Sequence, residues 1–179
     1  MDFSPMYTFL TQDNVSYHLE YYKTLQGKLS IYRKSLPDFD LSSYSLLMKS
    51  NVSNDIKAEI LPLFNSEKLH KSFFESFTDE FVDCGEIKRW YSSVEALLFD
   101  MLCEAKKHEL GFLCIMCDRS GAPTYRVVTN AIRYPLPERF LCIDLYEHAY
   151  FYDYGFSKET YLRAALSHLD FNKLFSSKS

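Results

Sequence analysis

Apolar residues in the first part of the chain recur at the spacing of an amphipathic helix. Between residues 15 and 34 they follow alternating steps of three and four, through Val15, His18, Tyr22, Leu25, Leu29 and Tyr32. This spacing puts all six on one helical face, so the segment predicts one long helix with that face turned inward. His18 belongs to the inward face.

Two more helical segments follow. The polar, proline-containing stretch SLPDFDLSSYS predicts the end of the first helix. A short helix is predicted over residues 53–60, with Pro62 stopping it, because proline interrupts helical hydrogen bonding. The next helix is predicted over residues 65–82, and its inward stripe consists of Ser66, His70, Phe73, Phe77 and Phe81. A second histidine thus lies on an inward face.

The second half of the chain changes from helical to strand-like patterns. Ser92-x-x-Glu95 is a capping-box pattern and predicts the start of a third long helix, which continues to Ala105. The runs GFLCIMC, TYRVVTN and RFLCIDL, separated by turn-rich segments, predict a three-stranded antiparallel meander. Ser157 then precedes KETYLRAALSHLDF, a final amphipathic helix. Helices, a small sheet and a closing helix indicate the α+β class.

Composition and charge narrow the classes of function. Of the residues, 47% are hydrophobic and 25% charged, as in soluble globular proteins. The formal net charge of -4 gives no electrostatic reason to expect nucleic acid or an anionic membrane as a partner. The segment MDFSPMYTFLTQDN lacks the pattern of a secretory signal. We therefore expect a cytoplasmic protein that binds neither nucleic acid nor membrane, with a mitochondrial or other organellar location as the alternative.

The cysteines give no strong indication of a metal or redox site. Cys114 and Cys117 form a CxxC pattern, but it lies in the strand-like run GFLCIMC. Residues three apart on a strand point to opposite faces, so this pair is not expected to bind zinc or to form a redox pair. The five cysteines are scattered, and we expect them to be reduced.

A candidate metal site arises where the third predicted strand ends. Asp144 closes that strand and His148 follows four residues later, a spacing that can direct both side chains to one point. Together with His18 and His70 they would supply three imidazoles and one carboxylate, which suits iron or manganese. The same residues also have an ordinary interpretation. A histidine on an apolar helix face is often a hydrogen-bonded core residue, and an aspartate before a helix is often an N-cap.

Several segments resemble one protein family. DLYEHAY resembles the D-x-W-E-H-A-Y signature of the iron/manganese superoxide dismutases. SYHLEYYKTL and LHKSFFESF are similar to the stretches that carry the family's first and second ligand histidines. YSSVEALLFDMLCEAKKHELGFLCIM is similar to the family's third helix and first strand, and YGFSKETYLRAALSHLDF to its closing helix. The resemblance covers nearly the whole chain, in order.

This resemblance implies a fold and an activity. The fold would be an N-terminal helical hairpin over residues 1–83, followed over residues 84–179 by an α/β subdomain whose three-stranded antiparallel sheet has flanking helices. The activity would be the disproportionation of superoxide to dioxygen and hydrogen peroxide. It would use one iron or manganese ion per subunit, held by His18, His70, Asp144 and His148.

The resemblance also implies a homodimer in which the site extends across the interface. Glu147, within the signature, would reach the partner subunit's His148, so that Glu147 and His148 are dimer-interface residues. Such a carboxylate fixes the orientation and basicity of a ligand histidine.

Around the predicted ligands the chain departs from the family. Tyr22 and Gln26 occupy the positions of a channel histidine and tyrosine, and Tyr146 that of a tryptophan. Phe151 lacks the hydroxyl of the family's gate residue. The two positions that supply the family's second-shell glutamine hold other residues, Ser66 and Ile132. The candidate channel or second-shell residues are therefore Tyr22, Gln26, Tyr146 and Glu147.

Two functions remain open at this point. The first is a superoxide dismutase with a modified channel. The second is a non-catalytic protein of the same fold with a structural or assembly role. The presence of all four ligand residues favours the enzyme, because a non-catalytic protein has no need of them.

Overall fold

Two long helices form an N-terminal hairpin. The structure is a computed structural model that describes residues 2–36, 40–81 and 84–175. The first helices are α1 (Gln12–Ser35), α2 (Tyr44–Lys49) and α3 (Asn54–Glu75). His18, near the start of α1, contacts Phe73, near the end of α3, with ring centroids 4.8 Å apart. At the opposite end, Tyr32 of α1 donates a hydrogen bond to Glu59 of α3. The two helices are therefore antiparallel.

Helix α1 confirms the long helix that was predicted between residues 15 and 34. It begins after Thr11, whose hydroxyl accepts a hydrogen bond from the Asn14 amide, a typical N-cap arrangement. Five of the six residues of its predicted inward stripe, including His18, are buried, and Tyr32 is partly exposed. The helix ends at Ser35, and Pro37 of the predicted breaking segment lies outside the described residues.

The prediction of two helices around Pro62 was wrong, because α3 continues through this proline. A proline inside a helix removes one hydrogen bond and costs about 3 kcal/mol. Buried neighbours on both sides offset that cost, since Ile60, Leu61 and Phe64 are at most 8% exposed and each contributes roughly 1.5–3 kcal/mol.

Helix α3 ends at Glu75, so its predicted continuation was wrong over residues 76–81, and Phe81 of the predicted inward stripe is 48% exposed. The backbone there bonds instead to a distant segment, with the Thr78 amide donating to the His168 carbonyl at 2.8 Å. Residue 82 lies outside the described residues.

The sheet is antiparallel and three-stranded, as predicted, but it is not a meander. Its strands are β1 (Phe112–Cys117), β2 (Pro123–Val128) and β3 (Leu141–Asp144), and their order is β2-β1-β3. The burial of each strand accounts for this order. Strand β1 has an almost continuously buried run and occupies the centre, whereas β2 alternates between buried and exposed residues, as an edge strand does.

The outer edge of β3 is covered by the end of α3. The backbone N–H of Cys142 donates to Ser76 Oγ at 2.7 Å, and Ser72 Oγ donates to the carbonyl of Phe140 at 2.8 Å. These bonds satisfy polar groups that an open sheet edge would expose. They also hold the end of β3, with Asp144, beside the helix that carries His70.

The remaining helices pack around the sheet. They are α4 (Val94–Ala105), α5 (Phe151–Tyr154), α6 (Lys158–Ser167) and α7 (Asn172–Phe175). Helix α4 is capped by Ser93 rather than by the predicted Ser92, and α6 is shorter than predicted. The α+β class is confirmed. Within the described ranges, no helix combines the length and apolar character required to cross a membrane.

Candidate metal centre

Four side chains, from two helices and from the segment where β3 leads into a turn, converge on one point. His18 lies on α1, His70 on α3, Asp144 at the end of β3 and His148 in the 3-10 turn Glu147–Ala149. The Nε2 atoms of His18, His70 and His148 lie 3.3, 3.6 and 3.1 Å from Asp144 Oδ2. One potential ligand atom from each residue lies within 4.8 Å of the others. The structure thus brings together the four residues that the sequence predicted as ligands.

Asp144 is held rigidly at the base of the site. It is fully buried, and its Oδ1 accepts a hydrogen bond from the backbone N–H of Tyr146 at 2.8 Å. The hydroxyl of Tyr161, on α6, donates to its carbonyl at 2.9 Å. The carboxylate therefore keeps Oδ2 directed at the histidines.

His70 is oriented so that Nε2 faces the centre of the site. Its Nδ1–H donates to the carbonyl of Ser66, one turn earlier on α3, at 2.7 Å. A proton on Nδ1 leaves a lone pair on Nε2, which is the form that binds a metal. The helix itself therefore sets the tautomer of this histidine.

His18 supplies the clearest indication that the site holds a cation. Its Nε2 is buried and has no hydrogen-bond partner within the described part of the chain, although it lies 3.3 Å from Asp144 Oδ2. Burial of an unpaired polar atom is costly, so such atoms are rare. A metal ion among the four residues would satisfy this nitrogen. Imidazole and carboxylate donors suit first-row metals, so the residues present fit the implied iron or manganese.

The electrostatics of the site favour metal-binding forms near neutral pH. Burial lowers the pKa of His18, and it lowers the pKa of His70 from 6.5 to about 4. Burial alone would raise the pKa of Asp144, but the hydrogen bond from His148 and the close approach of His18 outweigh it and leave this pKa below its ordinary value. His18 and His70 are therefore neutral at pH 7, and Asp144 is ionised.

A cavity of about 270 Å³ opens onto the site. His148 is its accessible ligand, with 36% of its side chain exposed, whereas His18, His70 and Asp144 are buried. The cavity is lined by aromatic, histidine and neutral polar side chains: Tyr17, His18, Tyr21, Ser66, His70, Phe112, Asn130, Tyr146 and His148. A small ligand would therefore approach from the side of His148.

Four lining residues were missed as site residues: Tyr17, Tyr21, Phe112 and Asn130. The ring of Tyr21 lies 4.8 Å from that of His148 and 5.3 Å from that of His70. The spacing between His18 and Tyr21 could have identified Tyr21 as a site residue, because residues three apart on a helix share a face. Asn130 follows β2 in a loop, where the sequence offers no comparable periodicity.

The candidate channel residues lie in different places. Tyr146 lines the cavity, and its ring stacks near that of His148 at 5.6 Å. The Tyr22 hydroxyl donates to Glu67 at 3.0 Å, and Gln26 is exposed on α1. Neither Tyr22 nor Gln26 is among the described residues that line the cavity. Their channel role stays a prediction.

Glu147 is exposed beside His148, and Phe151 packs against Phe156 on the surface, with ring centroids 5.3 Å apart. Ser66 and Ile132 replace the family's glutamine, and Ser66 supplies the carbonyl that holds His70. The carbonyl of Ile132 accepts a hydrogen bond from the Asn65 amide. Both positions therefore act through their backbone carbonyls.

Comparison with known proteins agrees with this geometry. Residues 84–176, more than half of the chain, match the family of iron/manganese superoxide dismutases, C-terminal domain. This match contains Asp144 and His148, while His18 and His70 precede it. No curated protein sequence matches the chain significantly. The chain belongs to the iron/manganese superoxide dismutase family.

Proposed function

We propose that this protein is a superoxide dismutase that binds one iron or manganese ion through His18, His70, Asp144 and His148. The observation that carries the proposal is the convergence of three imidazole nitrogens on one buried carboxylate oxygen, each within 3.6 Å. Family membership supports the same conclusion. A core packed only for stability would have no reason to bury His18 Nε2 without a hydrogen bond.

When bound, an iron or manganese ion would supply one-electron cycling, so that one superoxide is oxidised to dioxygen and another, taking up two protons, is reduced to hydrogen peroxide. The chain positions the donors before any ion arrives. Asp144 is fixed by Tyr146 and Tyr161, and His70 by Ser66. Aromatic walls formed by Phe112 and Tyr146, with ring centroids 5.5 Å apart, restrict the site to small molecules. The protein's contribution is thus orientation and access.

A superoxide-disproportionation assay tests this proposal. The purified chain is freed of metal and reloaded separately with iron and with manganese. We expect at least one loaded form to accelerate the reaction, and we expect the metal-free form to be inactive. Inactivity of both loaded forms, with metal demonstrably bound, would count against the enzyme.

The neutral cavity leads to a prediction about salt. No lysine or arginine is found among the described residues that line it, and the chain carries a net charge of -4. Superoxide therefore has no positive channel to steer it, and added salt mainly screens repulsion by the protein. We expect the rate constant to stay constant or rise slightly as salt increases from about 10 to 150 mM, while the Debye length falls from roughly 30 to 8 Å.

A control variant makes the salt experiment decisive. Tyr17 lines the cavity and is 63% exposed, so Tyr17→Lys places a cation at the opening without disturbing the core. This variant should react faster at low salt and slow down as salt is added. A wild-type rate that falls steeply with salt would contradict the assignment of a neutral entrance.

We also propose that the protein is a homodimer through Glu147. This residue is exposed, and its neighbour His148 is partly exposed, so both are accessible to a second subunit. We expect light scattering to show a dimer at micromolar concentration. Glu147→Ala should raise the dimer dissociation constant roughly 30-fold or more, because loss of one member of a buried charged hydrogen bond costs about 2 kcal/mol or more.

Asp55→Ala is the control for the dimer experiment. Asp55 is an exposed acid at the start of α3, fifteen residues and about 22 Å along the helix from His70. It should leave the dissociation constant unchanged. A monomeric wild type, or equal effects of the two variants, would overturn the role proposed for Glu147.

The neutral cavity also favours a second candidate function, that of a metal-binding but non-catalytic protein with a structural or assembly role. An enzyme for an anionic substrate gains from positive charge near its site, and the lining residues described in the structure supply none. Activity separates the two functions. A chain that binds metal tightly but leaves superoxide consumption unchanged has the second function.

A further inference from the structure

Two neighbouring buried side chains on α1 carry polar atoms without partners. Asn14 and His18 are each 1% exposed. Across the described residues, the buried side-chain nitrogen and oxygen atoms that lack a hydrogen bond are Asn14 Nδ2 and Oδ1 and His18 Nδ1 and Nε2. Because almost all such atoms are paired in folded proteins, their concentration in two residues needs a structural reason.

The metal centre accounts for only one of these four atoms. His18 Nε2 faces Asp144 and the other histidines, but Nδ1 is on the opposite side of the ring. Asn14 lies four residues before His18, and residues at this spacing are neighbours on a helix surface, with about 5–6 Å between their Cβ atoms. The spacing therefore places the Asn14 amide and the His18 ring, both with unpaired polar atoms, on the same buried face of α1.

We propose that Asn14 positions His18 as a metal ligand. Its Oδ1 accepts the proton of His18 Nδ1–H through one buried water molecule, since the two side chains are not directly hydrogen-bonded. A histidine that binds metal through Nε2 must carry its proton on Nδ1, and that proton requires an acceptor. Ser66 provides the acceptor for His70, but the described residues give His18 no backbone carbonyl of this kind. The Asn14 side-chain amide therefore serves, through that water molecule, as the acceptor for the His18 Nδ1–H proton.

This role also accounts for the presence of a buried amide at position 14. An amide that bonds to nothing would be replaced by an apolar side chain of similar size without loss of stability. Asn65 shows the contrasting case. It is equally buried, and its amide donates to the carbonyls of Asn130 and Ile132, both at 2.9 Å.

The affinity for Mn²⁺ tests the proposal, which rests on the metal binding in the proposed function but not on dismutase activity. Binding is measured by competition with a chelator for the wild type, Asn14→Leu and Asn14→Asp. We expect Asn14→Leu to bind Mn²⁺ about 10-fold to 100-fold more weakly, the usual effect of losing a partner of a ligand histidine. Asn14→Asp keeps the acceptor and should bind at least as tightly as the wild type. Equal affinity of Asn14→Leu and the wild type would overturn the proposal, as would weakened binding by Asn14→Asp.

A stability control separates positioning from simple packing. Metal-free Asn14→Leu should be at least as stable to denaturant as the metal-free wild type, because it loses no hydrogen bond within the protein. Metal-free Asn65→Leu should be less stable, because two partly buried carbonyls lose their donor. If Asn14→Leu were destabilised as much as Asn65→Leu, Asn14 would be a packing residue and the proposal would fail.

Proton NMR tests the proposal on the wild-type protein alone. With the diamagnetic ion Zn²⁺ bound, the Nδ1–H proton of His70 is an internal reference, since it is hydrogen-bonded to Ser66. We expect the Nδ1–H signal of His18 to be shifted downfield to a similar extent. A His18 signal at the position of a proton without a hydrogen bond would overturn the proposal. A wild type that binds neither Mn²⁺ nor Zn²⁺ would instead refute the proposed function itself.

Discussion

His148→Ala is expected to abolish metal binding and superoxide disproportionation together, while the protein stays folded. His148 is the exposed ligand, so its loss removes a metal donor without opening a cavity in the core. The change in the free energy of unfolding of the metal-free monomer, which lacks the proposed contact between His148 and Glu147 of the partner subunit, should remain within about 1 kcal/mol. Activity should fall by more than about 100-fold, since changes to residues behind the ligands already cost 10-fold to 100-fold.

His108→Ala is a matched control for this experiment. Its side chain is 40% exposed, close to the 36% of His148, and it also contacts a carboxylate, with Nε2 3.1 Å from Glu104 Oε1. It lies three residues after the end of α4, outside the four-residue cluster. We expect wild-type metal content and activity for this variant. Equal behaviour of the two alanine variants would show that His148 is not a ligand.

The metal-free protein is expected to lose stability as the pH falls from 6.5 towards 4. Burial lowers the pKa of His70 from 6.5 to about 4, so in this range the unfolded chain binds a proton that the folded chain does not. Stability is then complete above pH 6.5 and declines towards pH 4. At about 1.4 kcal/mol per pKa unit, His70 alone accounts for about 3 kcal/mol. The lowered pKa of His18 acts in the same direction.

Urea unfolding at several pH values measures this effect, and His70→Asn isolates the contribution of His70. An asparagine retains a donor for the Ser66 carbonyl but does not titrate. The variant should show a smaller loss of stability between pH 6.5 and 4. Identical pH dependence for the variant and the wild type would contradict the assignment of a neutral, buried His70.

The ligand residues were accessible to sequence analysis because each lies on a regular pattern. His18 and His70 interrupt apolar helical stripes, and Asp144 ends an apolar strand. Regular sequence patterns do not show that these residues meet at one point in space. Their convergence depends on the packing of α3 against the outer edge of β3 through Ser72 and Ser76, two small polar residues with no recognisable pattern.

Tertiary packing accounts for two of the errors in the fold. Pro62 indicates a helix end in isolation, but the buried residues around it stabilise a continuous helix. The meander was inferred from strand sequence order, whereas β1 has a nearly continuous buried run and must be covered on both sides. In both cases the burial of apolar residues against distant parts of the chain outweighed the local sequence preference.

Asn14 shows a further limit of sequence patterns. A polar residue near the start of a helix is usually interpreted as part of a cap, and the Asn14 backbone does take part in one. Only the structure shows that its side chain is buried without a partner one turn from His18. The unpaired Nδ1 of the neighbouring His18 explains why a polar side chain is buried at position 14.

The central claim is that these four residues hold a redox-active metal ion. Elemental analysis of the purified wild-type protein, combined with a superoxide assay on the same sample, tests it most directly. We predict about one iron or manganese ion per chain, with activity proportional to metal content across preparations. A folded, dimeric protein that contains neither metal and takes up neither on reloading would contradict this account.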